Sequence, residues 1–149
     1  MTDETLAADR DAPLTDDTLL AERIGQLLER AMRRQFWMLF LDGRDVLAPV
    51  VMPCDDLPED PLGFSPSEDL GEVANAELLG VRVSQIMEEF DLAQAVFVWE
   101  RRGGPRVRDA ERRWARELAG ACARAGARVR AQFLLHDRGL RVLAPDDYL

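Results

Sequence analysis

From Asp17 onward apolar side chains recur at helical spacing, with Leu20, Ile24, Leu27, Leu28 and Ala31 on one face. Asp16 or Asp17 can cap the start of that helix, and Arg30, Arg33 and Arg34 stand near its end, where cations complement the dipole. The next run, QFWMLFL from Gln35 to Leu41, is too short and too continuously apolar for a surface helix and reads as a buried strand. Asp42-Gly43 predicts a tight hairpin turn, with Val46 to Met52 returning as a second strand. Pro49 cannot donate to a ladder, so that strand is expected at an edge or bulged there.

Residues 53–74 hold four Pro and two Gly among many acids, with no clean period, and are expected to form a long acidic loop. Helical spacing returns between about Asn75 and Phe90, with Val83, Ile86, Met87 and Phe90 on one face. The segment Ala93 to Trp99 reads as a central strand, and Glu100 to Arg108 as a loop around Gly103-Gly104-Pro105. Asp109 caps a further helix whose Trp114, Leu118, Ala121, Cys122 and Ala125 share a face, and Gly126 ends it. Beyond it, Val129, Ala131, Phe133 and Leu135 alternate with Arg128, Arg130 and Gln132, and the turn Asp137-Arg138-Gly139 leads into LRVLA. This predicts a closing hairpin with one polar face. The order α-β-β-α-β-α-β-β implies an α/β fold, a three-layer sandwich with a mixed central sheet. Residues 1–15 read as a disordered acidic tail and 16–149 as a single domain.

Charge changes the picture. All 19 basic residues are Arg, so a Lys nucleophile, a Schiff base and a Walker lysine are excluded. Residues 1–100 carry 22 carboxylates against 7 Arg, whereas residues 101–141 carry 12 Arg against 4 carboxylates. Such segregation fits an acidic lobe facing a basic one within the chain, or an anionic partner for the basic half. One His, His136, and two Cys, Cys54 and Cys122, are too few for an ordinary protein zinc site, and the cysteines are expected to be reduced, packed thiols. No apolar run approaches the roughly 20 residues of a membrane span, and the acidic start lacks the order of a signal peptide, so a cytoplasmic protein is expected.

Several residues carry a resemblance to the RadC-like branch of the JAB (MPN, JAMM) metalloprotease domains. Those domains place a His-x-His-Pro-Ser-Gly-Asp-Pro loop at the end of a buried strand, with a Ser-x-x-Asp at the next helix's first turn. This sequence reads VWERRGGP there. With Pro105 on the second loop proline, Gly103 falls on the glycine, Glu111 on the metal-binding Asp, Leu118 and Ala121 on helix positions, and Gly126 on the helix-ending glycine. FLDGRDVLAPVV resembles the first hairpin, VSQIMEEFDLAQAVFV the helix and strand before the histidines, and RVLAPDDYL the closing strand, together about two-thirds of the chain. The resemblance implies a JAB/cytidine-deaminase-like fold.

The zinc ligands do not carry over. The two histidine positions hold Val98 and Glu100, or Trp99 and Arg101 in the register shifted by one; Arg102 or Gly103 replaces the loop serine. Val50 and Val51 stand near the expected catalytic Glu. Zinc hydrolysis needs imidazoles and a carboxylate on the metal and a further carboxylate for its water. A pseudoenzyme without metal or cofactor is therefore expected, serving as a protein interaction or accessory module whose partner is another protein or a second copy. The candidate binding surface is Trp99, Glu100, Arg101, Arg102, Arg106, Arg108 and Glu111. Two alternatives use the same residues: nucleic-acid binding through the 101–108 Arg loop beside Trp99, and a metal-independent hydrolase using Glu100 and Glu111. Against them stand plainer readings: Glu111 complementing a helix dipole, the Arg loop pairing with acids of 54–72, His136 as a surface or half-buried residue rather than a proton shuttle, and Trp37, Trp99 and Trp114 packing in the core.

Overall fold

The computed structural model describes residues 12–149, and residues 1–11 of the expected tail lie outside the described residues. The remainder of that tail is not loose: Leu14 is buried, and its amide donates to the Asp45 carbonyl at 2.7 Å. The chain runs α1 (Asp17–Leu28), β1 (Gln35–Leu41), β2 (Leu47–Cys54), β3 (Phe64–Ser67), β4 (Gly71–Ala74), α2 (Asn75–Glu89), β5 (Gln94–Glu100), α3 (Asp109–Arg124), β6 (Val129–His136) and β7 (Gly139–Leu143). A short 3-10 turn follows at Pro145–Asp147. Five strands form one mixed sheet in the order β2-β1-β5-β6-β7, in which only β5 and β6 are parallel.

Strand alternation decides the layers. Phe36, Met38 and Phe40 of β1, with Ala95, Phe97 and Trp99 of β5, face α2 and α3. Leu39, Leu41, Val96 and Val98 point the other way, onto Leu20 and Ile24 of α1 and onto Leu14 and Ala31. Helices thus cover both faces of the sheet, and β5 at its centre is buried at every residue. α2 and α3 meet at Gly80, where an added Cβ would lie 2.8 Å from Ala121 Cβ. Asp16 caps α1 through bonds to the amides of Thr18 and Leu19. That helix stops at Leu28, so the arginines at 30, 33 and 34 lie past it, and Leu27 is exposed rather than packed.

Three local expectations need correction. The β1–β2 connection is not a tight Asp-Gly turn. Asp42 accepts bonds from the amides of Arg44 and Val46, and the left-handed residue is Asp45 (φ 62°), not Gly43. Pro49 does fall on an edge strand, at an irregularity in the β1–β2 register. The 53–74 segment is no plain loop. It contains the β3–β4 hairpin, and Asn75 fastens its base by donating to the Asp60 carbonyl and bonding Ser65 Oγ. β6, finally, lacks a polar face at its centre: Gln132 is 1 % exposed, and it accepts from Trp99 Nε1 at 2.8 Å and donates to the Ala115 carbonyl at 3.0 Å. Its amide satisfies two groups that burial would otherwise strand.

Candidate functional site

The antiparallel β1–β5 pairing sets Gln35 opposite Glu100, so the start of β1 and the end of β5 meet at one margin of the sheet. There the first turn of α3 and residues 54–59 enclose a cleft of about 500 Å³. Trp99, Glu100, Arg101, Arg102, Arg108 and Glu111 all line it; of the candidate surface only Arg106 does not. The sequence reading missed Arg34, Phe36, Cys54, Leu57, Glu59 and Trp114 in the same lining. The signal for Arg34 was its place just before a strand that pairs antiparallel with β5. The acidic segment supplies a wall because Trp114 Nε1 donates to the carbonyls of Pro58 and Glu59, Arg34 donates to the Leu57 carbonyl, and Arg113 pairs with Asp60.

Glu100 and Glu111 do not form a carboxylate pair. As the residue after Trp99 on a strand, Glu100 turns to the α1 face, where it is 4 % exposed. Its carboxylate accepts four bonds there: from the amides of Met32 (2.7 Å) and Arg33 (3.0 Å), from Gln35 Nε2 (3.1 Å) and from Trp37 Nε1 (2.8 Å). Burial pushes its pKa upward, but the bonds from Trp37, Met32, Arg33 and Gln35 together outweigh it and hold the group below its ordinary value. A carboxylate so saturated is an anchor for the segment after α1, not a proton carrier.

Glu111 lies on the opposite side with Arg101. Arg101 Nε and Nη2 grip its two oxygens at 2.6 and 3.1 Å, while the rest of the guanidinium donates to the carbonyls of Gly104 and Arg106, both at 2.6 Å. Glu111 also accepts the Arg108 amide, closing the N-terminus of α3. Arg101 is therefore the buried pin of the 101–108 loop, and Arg102 pairs with Asp137. Neither takes its partner from 54–72, contrary to the simpler expectation; among the described residues Arg34, Arg82 and Arg113 do reach that segment.

The aromatic residues settle as core. Trp99 packs in tilted contact 4.4 Å from Phe36 and 5.9 Å from Trp114, with its indole N–H tied to Gln132, so only a small part of the ring shows in the cleft, too little for a nucleic-acid base to stack over. Trp37 is half-buried over the second core. His136 is buried rather than at the surface, and its Nδ1 accepts the Arg138 amide at 3.2 Å. Burial, and then the charges of Arg101, Arg138 and Arg141, keep its pKa below the usual value. Both cysteines are free thiols. Burial pushes Cys122 up to about 12; Cys54 is raised as well, by its half-buried place and by Asp56.

Val98, the position matched to a histidine ligand, is fully buried against α1. Among the described residues no three His, Cys, Asp or Glu side chains gather where they could hold a metal ion, and no helix is long and apolar enough to cross a membrane. No protein-family model matches the chain, and no curated protein matches its sequence.

Proposed function

We propose that this chain is a degenerate JAB/RadC-like domain that acts without metal or catalysis, as a protein-binding module that pairs with a second copy of itself. The observation that carries the reading is the placement of Glu100 and Glu111. Each carboxylate is saturated by structural donors, and the two lie on opposite sides of the sheet. The same geometry weighs against the carboxylate hydrolase, and the burial of Trp99 and Arg101 weighs against the nucleic-acid reading. The helix–sheet–helix layering and the α3 start beside the end of β5 support the family resemblance.

A surface for pairing is offered by the β3–β4 arm, where Phe64 is 70 % exposed with Leu62 and Leu70 also out in solvent. The acidic residues beside it, Glu68 and Glu72, complement the Arg-rich half of a second chain, whereas Asp69 is held by Arg82 of its own chain. The test is sedimentation equilibrium of the purified protein together with metal analysis and a peptidase assay. We expect a concentration-dependent dimer that Phe64→Glu disperses to a monomer with an unchanged far-UV circular dichroism spectrum, and no zinc-dependent hydrolysis. Stoichiometric zinc with peptide-bond cleavage would overturn the non-catalytic reading, and a monomer at every concentration would overturn the pairing.

A further inference from the structure

The cleft at the end of β5 has charges that the pairing reading leaves unused. Glu111 compensates Arg101, and Asp137 compensates Arg102. Arg34 and Arg108 also line the cleft, and among the described residues neither stands within ion-pair distance of a carboxylate. Arg34 makes one bond, to the neutral Leu57 carbonyl at 3.1 Å. Arg108 is held in an unfavourable place for a cation. Its guanidinium lies over Gly103 beside that of Arg101: a Cβ built on Gly103 would be 2.6 Å from Arg108 Nη2 and 3.2 Å from Arg101 Nη1. Gly103 permits this crowding, since it lacks the Cβ and adopts φ +114°.

Guanidinium groups keep their charge at any ordinary pH, and low-dielectric walls strengthen the field in a concave site. Phe36, Trp99 and Trp114 make an apolar floor, with Leu57 and Cys54 at the side. Two negative groups remain near: Glu59 on the wall, and Glu100, whose carboxylate points to the other face and is bonded there by four neutral donors. About 500 Å³ is within the range of a small-molecule site.

We infer that the cleft binds a compact organic oxyanion, a phosphate monoester or carboxylate, with its charged end between Arg34 and Arg108 and its apolar body against the aromatic floor. Guanidinium forks match both oxyanions bidentately, so the chemistry is shared and the source is left to the test. The inference is independent of self-pairing and stands or falls separately from it.

The test is a tryptophan-fluorescence titration at constant ionic strength, because two indoles form the floor. Phenyl phosphate, benzoate, inorganic phosphate and phenol are the probes, with thermal stabilisation as the second readout. Saturable binding of phenyl phosphate or benzoate is expected, with the tighter of the two identifying the source. Arg34→Gln and Arg108→Gln should each weaken it about tenfold, the double variant should abolish it, and Arg128→Gln, outside the cleft, should bind as wild type. All three substituted side chains are exposed, and melting curves confirm folding. Absence of saturation at millimolar probe, equal binding by the double variant, or equal binding of neutral phenol would each overturn the inference.

Discussion

Replacing Glu100 with Gln isolates the anchor that joins the segment after α1 to the sheet. Shape and volume are kept, but one carboxylate oxygen becomes an NH2 group. Whichever way the amide turns, two N–H donors that met an oxygen now meet a donor. Hydrogen bonds to a charged group contribute about 1.5–3 kcal/mol each, and a buried polar group left unpaired costs about 1–3 kcal/mol. Gln35 can turn its own amide to accept, so the stranded groups reduce mainly to the Trp37 indole or the Met32 and Arg33 amides. The expected loss is about 2–4 kcal/mol, which for a chain of this length lowers Tm by roughly 5–15 °C. The sign of the pH dependence follows from the depressed pKa. The stabilisation is complete above the unfolded carboxyl value near 4.5 and is lost as pH falls through the lower folded value. Urea unfolding at pH 7 and again at successively lower pH should show wild type and E100Q converging in acid. A difference below about 0.5 kcal/mol at pH 7, or a gap that persists unchanged after Glu100 is protonated, would refute the anchor.

Other substitutions test the packing around it. Gly80→Ala should destabilise by about 1–3 kcal/mol in urea melts despite better helix propensity, since its Cβ would meet Ala121 side chain and backbone. Gly25→Ala in α1 meets nothing within 4 Å and should stabilise by about 0.5–1 kcal/mol; a gain at both sites would contradict the close α2–α3 approach. Arg101→Met should cost about 3–5 kcal/mol by stranding Glu111, and a double-mutant cycle with Glu111→Leu should recover a large part. Strict additivity would show the pair uncoupled. Since the folded pKa of His136 is lowered, mainly by burial, the folded state binds fewer protons than the unfolded, and stability should fall as pH drops below about 6.5. His136→Gln should flatten that slope between pH 7.5 and 5.5, and a wild type more stable in acid across this window would reject the account.

Much of the fold was legible because apolar spacing reports which face is covered. The helix starting at Asn75, the fully buried strand over 94–100 and the helix from Asp109 emerge with boundaries within a residue or two. What spacing could not show was the origin of a polar residue's partners. Gln132 reads as solvent-facing by alternation, yet it is buried because Trp99 and Ala115, distant in sequence, each bring a group that needs a partner. The β3–β4 hairpin was hidden for the opposite reason. Phe64–Ser67, which carries Pro66, and Gly71–Ala74 are short and have no buried residue, so burial imposes no pattern on them.

The candidate site divides the same way. Its location followed from the end of a buried strand above a glycine loop, and six of seven nominated residues do line one cleft. Their roles depended on a parity already present in the sequence. Trp99 and Glu100 are the last two residues of the strand, and the Arg101 amide still bonds the Leu135 carbonyl just beyond it, so Glu100 points away from Trp99 and Arg101. A carboxylate pair between Glu100 and Glu111 would have required Glu111 to reach through the sheet. Instead each acid meets the donors of its own side, backbone amides and an indole under α1, a guanidinium fork above the α3 start. Arg34 and Arg108 are what this pairing leaves over, which is why the cleft's remaining chemistry is cationic rather than acid–base.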